Sequence, residues 1–227
     1  MKHFIDISNF EVKKLDSIIQ KAKQIKNNPK KFSNKCKNKT LGMIFQKDST
    51  RTRASFTVGF QKLGGNTIEL NSKSIGFGKR ESVEDILRTL AQFIDVLVIR
   101  NDDHEILNKL SSLNALPIIN GLTDMSHPCQ IISDMLTINE KIGNIKKKQI
   151  TWVGDYNNVL RSLIELQILY KFKLNVVLPK EIFKKNKTEI IKYNNKELFI
   201  TNSLIDGIKF ADCVMTDAWV SMGEKSV

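Results

Sequence analysis

Leu41-Gly42-Met43-Ile44-Phe45, followed a few residues later by Ser49-Thr50-Arg51-Thr52-Arg53-Ala54-Ser55-Phe56, decides how the chain is read. A short apolar run, then small hydroxyl residues, then a helix-compatible segment from Ala54 to Leu63 closed by Gly64-Gly65, spells strand, tight turn and helix start. A turn of that kind faces ligand. Free backbone N–H groups, the positive end of the helix dipole, three hydroxyls and two guanidinium groups would meet at one helix N-terminus, a combination suited to a dianion. Arginine adds a planar fork that matches phosphate oxygens, which lysine lacks. The same spacing also fits a capped helix with two solvated arginines.

Outward from this stretch the chain alternates strand and helix. Asp6 to Ser8 can cap a first helix whose apolar positions are Val12, Leu15, Ile18, Ile19 and Ala22. Asn27 to Asn38 reads as a polar loop. A strand is predicted over Asn66 to Leu70, a mobile loop over Asn71 to Arg80, and a helix capped by Ser82 and running to about Phe93. Asp95 to Arg100 is an apolar run ending in a charge, the pattern of a buried parallel strand opening onto a site. A helix over His104 to Leu113, a strand over Leu116 to Asn120 and a helix over Cys129 to Ile142, entered through His127-Pro128, follow. The pattern then restarts: strands at Gln149 to Val153, Leu174 to Leu178, Leu198 to Thr201 and Cys213 to Thr216, with helices between them. The expected fold class is α/β, with two domains, each a parallel sheet flanked by helices. The boundary falls at 142/143.

The formal net charge of +12 raises the question of nucleic acid. The lysines are interleaved with Asn, Ile and Glu along the whole chain, and no basic stripe carries regular aromatic partners. A solvated lysine-rich surface is therefore expected, with no nucleic acid partner, and its field would draw anions inward. Cys36, Cys129 and Cys213 form neither a disulfide framework nor zinc-ligand spacing. No apolar run approaches the roughly 18 residues of a membrane span, and the N-terminus lacks an apolar leader core. A soluble cytoplasmic protein without a membrane partner is expected. Gly154-Asp155-Tyr156-Asn157-Asn158 lacks the later glycines of a dinucleotide fingerprint.

Three stretches, taken together, resemble the aspartate/ornithine carbamoyltransferase family. Ser49 to Phe56 looks like its carbamoyl-phosphate loop, His127-Pro128-Cys129-Gln130 like its H-P-x-Q, and Asp217-Ala218-Trp219-Val220-Ser221-Met222-Gly223 like its D-x-x-x-S-M-G loop. The resemblance implies that Ser49, Thr50, Arg51 and Thr52 hold phosphate, with Arg53 in support. It implies that Thr52, Arg100 and His127 meet the carbamoyl oxygen as charge builds there, and that Gln130 accepts from the carbamoyl NH2. It places Asn158 and Asp217 at the α-amino and α-carboxylate end of ornithine, with Ser221 and Met222 on a closing loop. Residues 1–142 would bind carbamoyl phosphate and residues 143–227 L-ornithine, in a homotrimer with no metal or organic cofactor. Gly76 stands where the family commonly has Gln, and Tyr156 where Gly is usual. The family continues past the position of Val227 through an H-C-L-P segment, a later arginine and a final helix. On that comparison the second domain is C-terminally incomplete, and little turnover is expected of the chain as given; the alternatives to carbamoyl transfer to ornithine are transfer to aspartate or another amine, and a non-catalytic phosphate-ligand or nucleic-acid binding remnant.

Overall fold

The computed structural model describes residues 3–71, 81–193 and 195–217. Gly76, Ser221 and Met222, and the predicted loop beyond Asn71, lie outside the described residues. The chain divides into two compact units, Met1–Cys129 and Gln130–Val227.

The first unit runs α1 (Val12–Asn27), β1 (Thr40–Phe45), α2 (Thr50–Lys62), β2 (Asn66–Asn71), α3 (Val83–Leu90), β3 (Val96–Arg100), α4 (His104–Ser112) and β4 (Ile118–Leu122). Helix α5 (Pro128–Lys141) leads into the second unit, with β5 (Gln149–Val153), α6 (Asn158–Tyr170), β6 (Lys173–Val177), α7 (Lys180–Ile191), β7 (Leu198–Thr201), α8 (Leu204–Ile208) and β8 (Cys213–Met215). Each unit holds one four-stranded sheet, ordered β2-β1-β3-β4 and β7-β6-β5-β8. Every pairing is parallel.

The apolar run of β1 is continuous because both faces of its sheet are covered. Leu41, Met43 and Phe45 point to one side, where Phe56 and Phe60 of α2 pack against them. Ile44 points to the other, into a core with Leu87, Leu97, Leu107, Leu110 and Ile118. Burying each such side chain contributes about 1.5–3 kcal/mol before the entropy of ordering is subtracted. Gly64 closes α2 at φ +88°, and a Cβ there would run into the Ser33 carbonyl oxygen, so the sequence needs glycine at this turn. In the second unit Thr151 and Asn175, both buried, donate to the Gly207 carbonyl at 2.8 and 2.7 Å and draw α8 onto the sheet.

One device recurs at the N-terminal ends of the inner strands. The backbone of Asp95 donates to the Thr40 carbonyl at 2.9 Å while its carboxylate accepts from Thr40 N at 2.8 Å and Lys39 Nζ at 2.7 Å. Asp212 repeats this with the Gln149 carbonyl at 2.9 Å, Gln149 N at 2.8 Å and Lys148 Nζ at 3.3 Å. The Lys39 hydrogen bond holds Asp95 below the usual carboxylate range, and the Gln149 N–H does the same for Asp212. A depressed folded-state value means stability that is present above the unfolded value of about 3.9 and lost as pH falls through the folded one. Asp95→Asn with Asp212→Asn should therefore flatten the decline in melting temperature below about pH 4; an unaltered acid profile would show that these carboxylates do not couple folding to protons.

The predicted cap at Asp6 to Ser8 is not used. Helix α1 starts at Val12 behind Glu11, which makes no side-chain cap bond. The segment before it instead lies parallel to β4, with Phe4 N donating to the Ile118 carbonyl and Asn120 N to the Phe4 carbonyl, both at 2.8 Å. The stretch predicted as a polar loop after α1 contains a 3-10 turn, Pro29–Phe32, because Phe32 is buried. Strand β4 runs two residues later than the predicted Leu116 to Asn120, and Gly121 is bulged between the Ile99–Asn120 and Arg100–Leu122 pairs at its far end.

Candidate functional site

In both sheets the strand order reverses direction at one point, between β1 and β3 and between β5 and β8. Open parallel sheets bind ligands outside the carboxyl ends of the strands at that reversal. In the first unit these ends carry the Ser49 to Arg53 turn and Arg100.

Ser49 caps α2, accepting from Thr52 N at 3.4 Å and donating to Thr52 Oγ1 at 2.9 Å. Arg100, only 3% exposed, reaches across from β3 and donates to Thr52 Oγ1 at 3.5 Å. Burial pushes the Arg100 guanidinium below its ordinary range; Asp102 pulls it back up, and the Arg51 charge lowers it further. Two guanidinium groups from different elements thus repel one another beside a helix N-terminus, an arrangement that a dianion relieves. Thr50 opens the same turn, exposed.

Arg53 faces the other way. Its guanidinium binds Asp48 at 3.0 Å and Glu69 at 2.8 Å and lies over the Phe45 ring at 5.3 Å. This side chain braces the loop against β2 through Glu69. The rim is tied together further on: Asp102 N donates to Gln46 Oε1 at 3.0 Å, Lys47 pairs with Asp102 at 2.7 Å, and Asp124 N donates to the Asp102 carbonyl at 3.1 Å.

His127 arrives from the end of β4 through the turn Thr123 to Ser126 and is half-buried directly before Pro128, the first residue of α5. Asn120, fully buried, supports that end of β4 by accepting from Leu122 N at 2.9 Å and donating to the Ile5 carbonyl at 3.0 Å. Cys129 donates to the Asn120 carbonyl at 3.4 Å, and burial pushes its thiol up to about 12. Gln130 donates to Asp134 Oδ1 at 2.8 Å on its own helix, which leaves its carbonyl oxygen as an acceptor.

In the second unit Asn157 caps α6, accepting from Val159 N and Leu160 N at 3.1 Å each, and donates to Asp217 Oδ2 at 2.7 Å. This joins the ends of β5 and β8 at the second reversal point. Asn158, the residue the family resemblance points to, is the first residue of α6 and directly follows this cap. The Asn157 contact to a residue 60 positions away is set by tertiary placement and leaves no mark in the sequence beyond the Asn-Asn capping signal. Tyr156 is buried, with the Arg161 guanidinium 4.8 Å over its ring, and Arg161 binds Glu189 bidentately at 3.0 and 3.1 Å.

A two-unit parallel α/β chain whose strand ends carry arginines and hydroxyls on one sheet and an exposed carboxylate on the other belongs to the class of α/β proteins equipped to seat charged ligands. The comparisons specify it. Residues 2–140 match the carbamoyl-P binding domain of aspartate/ornithine carbamoyltransferases, and residues 146–227 match the Asp/Orn binding domain. The chain is 39% identical over 228 residues to an ornithine carbamoyltransferase of Rhodopseudomonas palustris, covering 99% of this chain and 74% of that protein. It is likewise 39% identical to one of Brucella ovis, covering 99% and 73%. Ornithine carbamoyltransferase of Pyrococcus furiosus superposes with a TM-score of 0.90 at 32% identity, over 98% of this chain and 73% of that one. The Campylobacter jejuni anabolic enzyme does so with a TM-score of 0.87 at 29% identity, over 100% and 76%. The chain belongs to the aspartate/ornithine carbamoyltransferase family, and is a carbamoyltransferase.

Proposed function

We propose that the protein transfers the carbamoyl group of carbamoyl phosphate to the side-chain amine of L-ornithine, giving L-citrulline and phosphate, as a step of arginine biosynthesis. The convergence of Arg51, Arg100 and Thr52 at the first reversal point carries this reading. Residues 1–142 take the carbamoyl phosphate and residues 143–227 the ornithine.

The neutral amine nitrogen attacks the carbamoyl carbon, and the carbonyl electron pair moves onto oxygen. Collapse of that intermediate breaks the C–O bond to phosphate, which leaves with the pair, and the new C–N bond sheds a proton. No side-chain nucleophile is needed; the demand is for orientation and for donors aimed at the developing oxyanion. Thr52, Arg100 and His127 supply those donors, Ser49, Thr50, Arg51 and Thr52 hold the phosphate, and Arg53 keeps the loop in place through Asp48 and Glu69. Gln130 accepts from the carbamoyl NH2. Asp217, set by Asn157, receives the α-ammonium of ornithine, and Asn158, Ser221 and Met222 are assigned to the same amino acid.

A homotrimer follows from the same reading. Helix α2 buries none of its own residues, and the edge strand β2 beside it is partly open on both faces, which suits cover by a second copy. Three free cysteines, each partly shielded, fit a reducing cytoplasm. Calorimetric titration with carbamoyl phosphate tests the reading: binding should weaken with added salt and fall at least about tenfold in Arg51→Ala, the loss of one charge-assisted contact. Equal binding by the variant would remove the phosphate-loop assignment, and preference for aspartate or another amine would redirect the acceptor.

A further inference from the structure

His104 is absent from every motif above, yet it is held from both sides. Its Nε2 lies 3.1 Å from Asp6 Oδ2 and its Nδ1 lies 2.9 Å from Thr123 Oγ1. Thr123 in turn closes the turn that delivers His127: its Oγ1 receives Ser126 N–H at 3.1 Å and donates to the Ser126 carbonyl at 3.3 Å, and Thr123 N donates to that carbonyl at 2.9 Å. A chain of contacts therefore links the N-terminal segment, the first residue of α4 and the residue preceding His127.

Hydrogen counting gives this chain two states. A hydroxyl has one proton and two lone pairs, and a neutral imidazole donates from one nitrogen only. With His104 protonated, Nε2–H serves Asp6, Nδ1–H serves Thr123, and the Thr123 proton is available to the Ser126 carbonyl. With His104 neutral, the carboxylate of Asp6 still requires Nε2–H, so Nδ1 becomes an acceptor. The Thr123 proton must then turn to Nδ1, and the Ser126 carbonyl loses its hydroxyl donor.

We propose that His104 is a positioning residue for His127, whose doubly protonated ring locks the Thr123 to Ser126 turn and whose neutral ring loosens it. The proposal rests on the assignment of His127 to the reacting carbamoyl group. The charged groups facing His104 all favour the locked state: Asp6 from the N-terminal segment, Glu105 from α4 and Asp124 from the turn. Asp6 raises the ring above its ordinary value first and most, against burial, with Glu105 and Asp124 adding to it. The lock is therefore present at acid pH and released as pH rises through the raised value.

The chain has three histidines, so their ring resonances can be assigned by single substitutions. A pH titration of the protein by NMR should show a second inflection in the His127 ring shifts at the His104 midpoint. Asp6→Asn should lower the His104 midpoint and carry the His127 inflection with it; Thr123→Ser, which keeps the hydroxyl, should preserve the coupling. A His127 ring indifferent to the His104 midpoint, or an inflection that stays in place in Asp6→Asn, would overturn the proposal. Inorganic phosphate, added in the same experiment, separates the two readings. If phosphate leaves the turn after β1 and the His127 ring unmoved, the anion-site reading fails; if it shifts them while His127 ignores His104, only the positioning role fails.

Discussion

On the proposed reaction, Arg100→Met should lower whatever rate of citrulline formation the chain shows by about 10²–10³-fold, the usual cost of losing one oxyanion donor. Methionine is the informative replacement because the two side chains are of similar length, so packing at the end of β3 is retained while the fork and charge go. Arg100 is buried to 3% exposure and lies within the field of Arg51, so the folded protein holds two like charges at a cost that Asp102 offsets in part and a bound anion would offset further. The melting temperature of Arg100→Met without ligand should consequently be unchanged or higher, while the stabilisation that carbamoyl phosphate confers should shrink. Steady-state rates together with thermal melting with and without carbamoyl phosphate check both halves. A variant that turns over normally would remove Arg100 from the reacting end of the site.

Much of this site can be read in the chain because its parts are local. Ser49 to Arg53 is one turn of backbone, and strand, hydroxyls and helix follow one another within a dozen residues, so periodicity and capping chemistry suffice to place them. Arg100 was legible as a charge closing an apolar run. The strand and helix spans of both units fall within a few residues of those expected, and the largest departures have tertiary causes. Asp6 looked like a helix cap because cap residues are recognised by their neighbours, whereas its partner His104 is 98 residues away. Nothing in the sequence marks that pairing. Arg53 is expected from the sequence to support the loop, but its partners Asp48 and Glu69, the second on another strand, leave no sequence signal. The bulge at Gly121 leaves no mark in the apolar pattern of β4. Tyr156, a departure from the family pattern, is explained by a cavity partner invisible in one dimension: the Arg161 guanidinium stacked on its ring and fixed by Glu189.

Asp217→Asn raises the ornithine concentration needed for half-saturation by roughly 10–100-fold, since a charge-assisted hydrogen bond contributes about 1.5–3 kcal/mol. The carboxylate is exposed at the end of β8, and one of its oxygens is occupied by the Asn157 amide at 2.7 Å, which fixes the direction in which the remaining lone pairs face. Asparagine keeps the size and one acceptor oxygen but removes the charge that an ammonium group requires. Binding of carbamoyl phosphate should be unaffected, because its groups belong to the turn after β1 and to Arg100. Asn157→Ala should reproduce part of the effect with an added loss of stability of about 0.5–2 kcal/mol, because the same side chain caps α6 through Val159 N and Leu160 N. The double variant then distinguishes orientation from charge. If Asn157 acts on ornithine only by aiming Asp217, Asn157→Ala should add little to the binding defect of Asp217→Asn while its cost in stability persists. Full additivity in ornithine binding would show that Asn157 touches the amino acid directly, and an Asp217→Asn protein that saturates with ornithine as before would place the α-ammonium elsewhere.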